Sequence, residues 1–441
     1  MNEIVIGMPL LHDLVEQMRD EVERGAVLFL NHDPVSDRYL VAEAVVAADG
    51  EYLSATKSEI TFAPHFLTAM TRRARRDGKS MAIVHSHPSG CNNFSTVDDS
   101  TEAALADFMR NRLGENACFS LILCDGHLKA RRFATQTFLP VREVGSNVVV
   151  TGRSEAQDQE RERFDRQVRA FGVNGQAILR QLSVAIIGLG GTGSVAAQQL
   201  AHLGLGHFLL FDDDKIEETN LNRVVGSTDS TIGRQKVEVA AEMILRINQD
   251  ASVTRHVGSV VSYAALDLLR TADVVLVCTD SHSSRAFLSA FAYQYLIPAF
   301  DVGVAINARE GRVDAITGRT QMLAPGLPCL WCSQSIDAGR IREELMTRED
   351  RAADPYFNEG GQRQPAVISL NSTMVSMAIT MLLGAFTSIP VTARWQQYSA
   401  LTGQVRLRTA EVRGDCATCG PRGAIGAGVS RTLPFLSARG L

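Results

Sequence analysis

The chain has 441 residues, 45% of them hydrophobic, and a net charge of −5. This length is enough for about three ordinary domains or two large ones. The acidic balance argues against nucleic-acid binding, and we expect the densest basic run, residues 72–76, to be a solvated helix face. Neither an export signal nor a run of roughly 18 apolar residues is evident, so we expect a cytoplasmic protein with no membrane partner.

The first 140 residues predict a mixed α+β domain. Apolar residues at three- and four-residue steps indicate helices, and short apolar runs between turn residues indicate buried strands. The predicted helices are 10–24, 65–78 and 96–112. The predicted strands are 26–30, 39–48, 81–88, 118–126 and 127–135.

Strands and helices then alternate along the rest of the chain. The predicted elements are helices over 163–182 and 192–204 and strands over 183–191, 207–212 and 272–280. Such alternation predicts a mostly parallel, doubly wound sheet, which makes the fold class α/β with an α+β domain in front. The polar stretch 333–366 is predicted to be a mobile loop over a site.

Composition places the domain boundaries. We expect a first domain over 1–145, a charged and aperiodic linker over 146–160, a second domain over 161–420 and a flexible Gly- and Ser-rich tail over 421–441.

A candidate metal site lies at the end of the strand predicted over 81–88. His85 and His87 are alternate strand residues, so they project from one face and can bind one ion. Asp98, in the first turn of the next helix, supplies a third ligand. Three protein ligands leave a fourth tetrahedral position open, which is typical of catalytic zinc.

Hydrolysis at such a site also needs a proton carrier and a group that stabilises negative charge. Glu23, where the first helix meets a buried strand, is the candidate general base, and Glu21 is the second choice. Ser95 is the candidate hydrogen-bond donor to a developing oxyanion. The alternative interpretation is a surface loop with incidental histidines, and Cys91 is either a further ligand or an ordinary loop thiol.

This succession, His-x-His-Pro followed at fixed spacing by Ser and x-x-Asp, resembles the JAB/MPN family of zinc metalloproteases over about residues 8–140. The resemblance implies a catalytic zinc at His85, His87 and Asp98 and hydrolysis of the bonds that attach ubiquitin and related tags. The upstream glutamate of that family precedes a small-residue and aliphatic strand, a context that Glu23 fits.

A glycine-rich turn opens the helix predicted over 192–204. Its glycines are Gly188, Gly190, Gly191 and Gly193. Glycines let the backbone approach phosphates, and a helix N-terminus favours their charge. Asp212, nineteen residues past the last of these glycines, can bind ribose hydroxyls. The turn alone also fits a nicotinamide-dependent dehydrogenase.

Charged and polar residues further along favour a triphosphate. They are Asp214, Asn220, Arg223, Lys236 and Asp280. Cations neutralise phosphate charge and carboxylates hold magnesium, whereas a dehydrogenase needs no triphosphate clamp. We therefore predict ATP and Mg²⁺ as ligands.

The succession GLGGTG, FDDD, TNLNR, GRQK and CTD resembles the ThiF/MoeB/ubiquitin-activating superfamily over about residues 160–420. The implied ligands are Asp212 for the ribose, Asn220, Arg223 and Lys236 for the phosphates, and Asp280 for magnesium. Arg166 would reach ATP in a neighbouring subunit, which implies a homodimer. The implied reaction is attack by the C-terminal glycine carboxylate of a partner protein on the α-phosphate, giving an acyl-adenylate and pyrophosphate.

Four of the eight cysteines form two Cys-x-x-Cys pairs, Cys329 with Cys332 and Cys416 with Cys419. In a chain of this size the spacing indicates metal ligation in a reducing compartment rather than a disulfide framework. The pairs match the four-thiolate zinc site of the superfamily, where four sulfurs close the coordination shell and make the metal structural. A redox role is the alternative.

The segment after the first pair departs from the ubiquitin-activating pattern. Enzymes of that type carry a nucleophilic cysteine there, but residues 333–366 contain none. Cys278 is expected to be a packing residue on a buried strand. The adenylate would then pass directly to a thiol or sulfide of a partner, or to a hydroxyl such as Ser333 or Ser335.

Together the two resemblances predict a bifunctional enzyme. Its second domain would adenylate a ubiquitin-like protein, and its peptidase domain would trim the precursor or remove the tag from targets, with a conjugating enzyme as partner. The alternative is sulfur-carrier chemistry, in which a sulfur donor converts the adenylate to a thiocarboxylate. A third hypothesis is a scaffold that only binds a ubiquitin-like protein.

Overall fold

The computed structural model describes residues 2–88, 90, 92–114, 117–152, 162–309, 312–346 and 365–436. The chain forms two compact units. The first comprises Met1–Ser154, Gln294–Leu296 and Ala424–Arg431, and the second comprises Glu155–Tyr293, Ile297–Gly423 and Thr432–Leu441. Cys91, part of the expected linker and residues 347–364 of the expected mobile loop lie outside the described residues.

The first unit combines strands with helices. Its strands are β1 Glu3–Gly7, β2 Gly25–Asp33, β3 Arg38–Val46, β4 Tyr52–Ala55, β5 Ile60–Phe62, β6 Ser80–Ser86, β7 Cys118–Cys124, β8 His127–Arg132, β9 Phe138–Leu139, β10 Val141–Val144 and β11 Val148–Thr151. Its helices are α1 Met8–Gln17, α2 Pro64–Arg76 and α3 Thr96–Leu113.

One mixed sheet crosses this unit in the order β11-β10-β1-β3-β2-β6-β7-β8-β9. Alternate residues of β2 enter two different apolar clusters, Leu28 one that includes α1 and Phe29 one that includes α2 and α3. The sheet is therefore covered on both faces, which is why β2 and β6 read as near-continuous apolar runs. The loop that leads into α3 follows β6 in the chain, so it lies at the carboxyl end of that strand.

The second unit alternates strands and helices. Its helices are α4 Asp165–Gln181, α5 Gly191–His202, α6 Lys236–Ile247, α7 Tyr263–Leu269, α8 His282–Gln294, α9 Ala338–Leu345 and α10 Ile368–Phe386. Its strands are β12 Ser183–Ile187, β13 His207–Asp212, β14 Ser252–Val257, β15 Val274–Val277, β16 Ala299–Arg309, β17 Arg312–Leu323, β18 Trp395–Ser399 and β19 Gln404–Leu407.

These strands form one sheet in the order β14-β13-β12-β15-β16-β17-β18-β19. The pairs from β14 to β16 are parallel, and those from β16 to β19 are antiparallel. The predicted α/β fold is thus confirmed, with a parallel part from β14 to β16. The antiparallel extension through β17, β18 and β19 was not predicted from the sequence. Beside β12 the strand order reverses, and such a switch point leaves a crevice at the carboxyl ends of the strands.

Several boundaries differ from the sequence prediction. α1 ends at Gln17, so Glu23 lies in the loop before β2 and not at the end of a helix. β11 falls inside the expected linker, and α9 falls inside the expected mobile loop. In the tail that we expected to be flexible, Leu433 and Leu436 are buried. Apolar side chains of this tail are therefore packed, although its Gly-rich composition suggested a flexible segment.

The sequence analysis also missed an apolar helix. Within the described ranges, α10 alone is long and apolar enough to cross a membrane by length and composition. Half of its apolar window is buried, and it packs against α5, β16 and β17. Core helices of globular units share these properties, so we interpret α10 as a core helix of the second unit.

Candidate functional sites

The three predicted metal ligands converge at the end of β6. His85 Nε2 lies 3.0 Å from His87 Nε2 and 3.1 Å from Asp98 Oδ1, and His87 Nε2 lies 3.8 Å from Asp98 Oδ2. Ligand atoms about 2.0 Å from one tetrahedral zinc are about 3.3 Å apart, so these separations fit a single ion. Both imidazoles are buried.

Ser95 holds the carboxylate ligand in place. It is the N-cap of α3, and its hydroxyl accepts a hydrogen bond from the Asp98 backbone N at 3.1 Å. Its own backbone N and hydroxyl donate to Asp98 Oδ2 at 2.6 Å and 2.8 Å. Burial alone would raise the pKa of Asp98, but the hydrogen bond and charge of His85, with the bonds from Ser95, hold it well below its usual range. The oxyanion role of Ser95 stays a prediction.

Backbone bonds fix the segment that carries Glu23 beside this triad. The Glu23 backbone N donates to Thr56 O at 2.7 Å. Arg24 exchanges bonds with Ser86, from its N to Ser86 Oγ and from Ser86 N to its carbonyl, both at 2.9 Å. In the adjacent cross-strand pair, Gly25 of β2 lies opposite His85 of β6.

Glu23 has the properties of a proton carrier. Glu23 is 4% exposed, and its Oε2 has no hydrogen-bond partner among the described residues. Burial raises the pKa of Glu23 to about 6, the charge of His85 opposes this shift, and Asp98 adds to it. Glu21, the second choice, is exposed. A buried carboxyl group with a pKa near neutrality can both take up and release a proton.

Sequence reasoning missed a buried arginine next to the triad. Arg131 on β8 is 1% exposed, and its Nη1 and Nη2 lie 2.6 Å from Asp99 Oδ1 and Glu102 Oε1, both on α3. Its guanidinium carbon is 3.9 Å from the ring centroid of Phe94. These contacts tie β8 to the loop and first turn that carry the third ligand. Nothing in the sequence sets Arg131 apart, because β8 also carries His127, Lys129 and Arg132.

A cavity of about 530 Å³ opens beside the same triad. His85 and Asp98 lie on its wall, and most other lining residues are apolar side chains of β5, α2 and α3. A mostly apolar cavity with a few convergent polar groups is the usual form of a ligand site. This cavity can receive an aliphatic or aromatic group next to the polar centre.

The glycine-rich turn has the close contacts that its sequence predicts. Gly188 has a left-handed backbone with φ of +84°, and a Cβ at Gly193 would lie 1.8 Å from the Gly188 carbonyl oxygen. A Cβ at Gly191 would lie 2.2 Å from the side-chain nitrogen of Asn371. Gly190, the N-cap of α5, has no atom within 4 Å of such a Cβ. The turn is therefore tight on one side and open at the helix start, where a phosphate group fits.

Asp212 and Lys236 meet beside this turn. Asp212 Oδ2 accepts a hydrogen bond from Leu189 N at 2.6 Å, and its Oδ1 accepts from Asp214 N at 2.8 Å. Lys236 Nζ lies 2.6 Å from Asp214 Oδ2 and 3.8 Å from Asp212 Oδ1. Burial raises the pKa of Asp212, while the charge of Lys236 opposes the shift.

The other predicted nucleotide contacts occupy different positions around the turn. Asn220 is buried, and its Oδ1 accepts from a backbone N at 3.2 Å. The Arg223 side chain lies beside the turn, since a Cβ at Gly191 would be 3.4 Å from its Cδ. Asp280 is exposed just after β15, and Arg166 is exposed on α4. The reach of Arg166 into a second subunit stays a prediction.

The two cysteine pairs come together in the second unit. Cys329 Sγ lies 3.6 Å from Cys416 Sγ, and Cys332 Sγ lies 3.5 Å from Cys419 Sγ. Thiolates about 2.3 Å from a tetrahedral zinc are about 3.8 Å apart, so the four sulfurs fit one ion. Cys278 lies outside this cluster and is buried, and burial raises the pKa of its thiol to about 12. Its packing role stays a prediction.

Comparison with known proteins agrees with the second site. The ThiF family model matches residues 164–419, and a fused JAB/MPN domain is not shown by any family model. The chain is 32% identical to the molybdopterin-synthase adenylyltransferase of Escherichia coli (strain K12), covering 60% of this chain and 99% of that protein. It is 32% identical to ubiquitin-like modifier-activating enzyme 5 of Drosophila persimilis, covering 43% and 50%. A crystal structure of E. coli MccB with MccA-N7isoASN is 20% identical, covering 59% and 76%, with a TM-score of 0.48. The chain therefore belongs to the ThiF family, and its second unit is an adenylyltransferase domain.

Proposed function

We propose that this chain adenylates the C-terminal glycine of a ubiquitin-like or sulfur-carrier protein and also hydrolyses a peptide or isopeptide bond of that protein. One observation carries the proposal. A phosphate-accepting turn with Asp212 and Lys236 and a metal-type triad beside the buried Glu23 occur in one polypeptide.

For adenylation, the turn and the start of α5 would bind the phosphates of ATP, and Asp212 would bind its ribose. Lys236 and Arg223, with Asn220, would neutralise and orient the phosphates. Asp280 would hold Mg²⁺. A homodimer in which Arg166 reaches the partner's nucleotide completes this proposal.

For hydrolysis, His85, His87 and Asp98 would hold zinc. When bound, that ion supplies a Lewis acid. Glu23 would take the proton of the attacking water and give it to the leaving amine. The apolar cavity would receive a neighbouring group of the substrate. The four cysteines would hold a second, structural zinc, consistent with the reducing cytoplasm that the sequence predicts.

Sulfur-carrier activation is the second candidate, and two observations favour it. Residues 333–366 contain no cysteine that could form a thioester. One relative that this chain covers almost completely is a molybdopterin-synthase adenylyltransferase. Mass spectrometry of the carrier after reaction separates the two outcomes, because a thiocarboxylate requires a sulfur donor and an isopeptide-linked adduct requires a conjugating enzyme.

The test of adenylation is ATP–pyrophosphate exchange with the full chain, Mg²⁺ and small β-grasp proteins that end in Gly-Gly. Exchange that disappears in Lys236→Ala supports the proposal, and no exchange with any such protein overturns it. The test of hydrolysis uses the same proteins with a C-terminal extension. Release of the extension by the zinc-loaded chain, but not by His85→Ala, supports the peptidase; equal release by both variants overturns it.

A further inference from the structure

Two arginines share one buried carboxylate in the second unit. Asp301 on β16 has a fully buried side chain. Arg285 Nε from α8 lies 3.2 Å from its Oδ1, and Arg319 Nε from β17 lies 3.0 Å from its Oδ2. Gly303 makes room for both, since a Cβ there would lie 3.2 Å from Arg285 Nη2 and 3.7 Å from Arg319 Nε. Three elements of the unit thus bring two cations to one anion.

This contact carries more positive than negative charge. Two guanidinium groups face a single carboxylate. In the part of the chain that the structure describes, Arg319 Nη2, Arg285 Nε and Asp301 Oδ1 are buried without a hydrogen-bond partner. Buried donors and charges in proteins are normally paired. The arrangement therefore has the capacity to accept one more anionic group.

Glu344 on α9 holds the start of α8, the helix that carries Arg285. Glu344 accepts hydrogen bonds from the backbone N of His282 and of Ser283, both at 2.8 Å, and so caps the start of α8. Burial and the charges of Arg285 and Arg340 lower the pKa of His282. These two arginines thus add to the effect of burial at His282, against the opposing charge of Glu344.

The strand order places the two arginines next to the expected reaction centre. Along the carboxyl edge of the parallel strands come Asp212 at the end of β13, the glycine-rich turn after β12, and Asp280 after β15. β16 is next, and its Asp301 pairs with Val277 of β15. With the ribose at one end of this series and magnesium at Asp280, the substrate carboxyl group has to arrive from the β16 side.

We propose that Arg285 and Arg319 bind an acidic side chain in the tail of the protein substrate. This inference rests on the adenylation half of the proposed function. Arg319 lies on β17, where it pairs with Gly303 of β16. β17 is two strands away from β15, which is about 10 Å at the usual strand spacing. An extended peptide advances about 3.3 Å per residue, so the acid belongs about three residues before the reacting carboxyl group. The preferred tail has Asp or Glu at the third position from its end.

Labelled hexapeptides test this directly on the unaltered chain. The probes are Ala-Ala-Ala-Glu-Gly-Gly, its Gln counterpart, and the Glu peptide with a C-terminal amide, each followed by fluorescence anisotropy with Mg²⁺ and a non-hydrolysable ATP analogue. We expect the Glu peptide to bind about tenfold or more tightly than the Gln peptide, a ratio that salt reduces. The amide should keep most of this advantage. Equal affinity for the Glu and Gln peptides, or no peptide binding, overturns the inference. The inference is also overturned if binding depends on the free C-terminal carboxyl group and not on the Glu side chain.

Two variants of one strand separate recognition from folding. Arg319→Gln should abolish the preference for the Glu peptide, while Arg312→Gln, an exposed position on the same strand with the same charge change, should keep it. Arg319→Glu should prefer a Lys-containing peptide, an exchange that a purely structural arginine would not produce. If the preference survives Arg319→Gln, the inference is wrong. If Arg319→Gln then also shows normal pyrophosphate exchange with a carrier protein, the adenylation proposal is not affected.

Discussion

Glutamine in place of Glu23 should stabilise the first unit and remove hydrolysis at the same time. Glu23 is buried near the ionised Asp98, and burial raises its pKa to about 6. Glutamine has nearly the same shape and no charge. The variant therefore removes the free-energy cost of an ionised carboxylate at this position and, with it, the proton carrier.

The pKa difference sets the size of the gain in the free energy of unfolding. The carboxyl group has an ordinary pKa of 4.5 and a folded-state pKa of about 6, a difference that corresponds to about 2 kcal/mol. Because the folded value is the higher one, the cost is absent below pH 4.5, grows as the pH rises to 6, and is constant above that. Glu23→Gln should therefore gain about 2 kcal/mol at pH 7.5 and almost nothing at pH 4.

Hydrogen exchange of the backbone amides in β2 and β6 is the suitable assay, with mass spectrometry and matched pH for both proteins. Both tryptophans, Trp331 and Trp395, lie in the second unit, so tryptophan fluorescence would follow the wrong part of the chain. A chelator must be present, because a dication at the triad would favour the ionised carboxylate. Added zinc should accordingly reduce the gain.

Two results would refute this reasoning. One is equal protection of both proteins at pH 7.5, and the other is a gain at pH 4 as large as that at pH 7.5. In the zinc-loaded protein the same variant should hydrolyse substrate about 10²- to 10⁴-fold more slowly with unchanged zinc affinity. A loss of zinc affinity instead would make Glu23 a ligand.

Three further changes test the remaining parts of the sites. Gly193→Ala should lower the thermal midpoint by several degrees and abolish stabilisation by ATP, because its Cβ would overlap the Gly188 carbonyl. Gly190→Ala, where a Cβ meets no atom within 4 Å, should keep the midpoint and weaken only ATP binding. Cys416→Ser should reduce bound zinc by one equivalent in elemental analysis, and Cys118→Ser should not. Arg131→Met should weaken zinc binding at the triad by about 10- to 100-fold in chelator competition and leave pyrophosphate exchange unchanged.

The elements that were predicted well are those whose cause is local. The turn at Gly188 and Gly193 combines a left-handed residue with a close backbone approach, and both requirements are visible as glycines between a strand and a helix. The triad is similar, because strand alternation and one helix start bring its members together. Ser95 shows a local signal with two meanings, since Ser-x-x-Asp before a helix is also a capping box. The structure shows the capping contacts, and the oxyanion role stays a prediction.

The features that were missed depend on contacts between distant segments. Arg131 meets Glu102 across the sheet, and Asp301 meets Arg285 and Arg319 from two other elements. A single charged residue in a buried strand does not reveal which partner neutralises it. The position of Glu23 was misjudged for a related reason, because apolar periodicity continues past the residue at which α1 ends.

Both candidate sites form where a strand ends and a helix begins, β6 before α3 and β12 before α5. A helix start offers unpaired backbone N–H groups, which favour negative charge. In the first unit that charge belongs to the protein, since Asp98 is held ionised by Ser95 and His85 and is thereby fit to be a ligand. In the second unit the start of α5 opens at Gly190, and the negative charge has to come from the nucleotide. The same local geometry therefore suits one unit to metal binding and the other to phosphate binding.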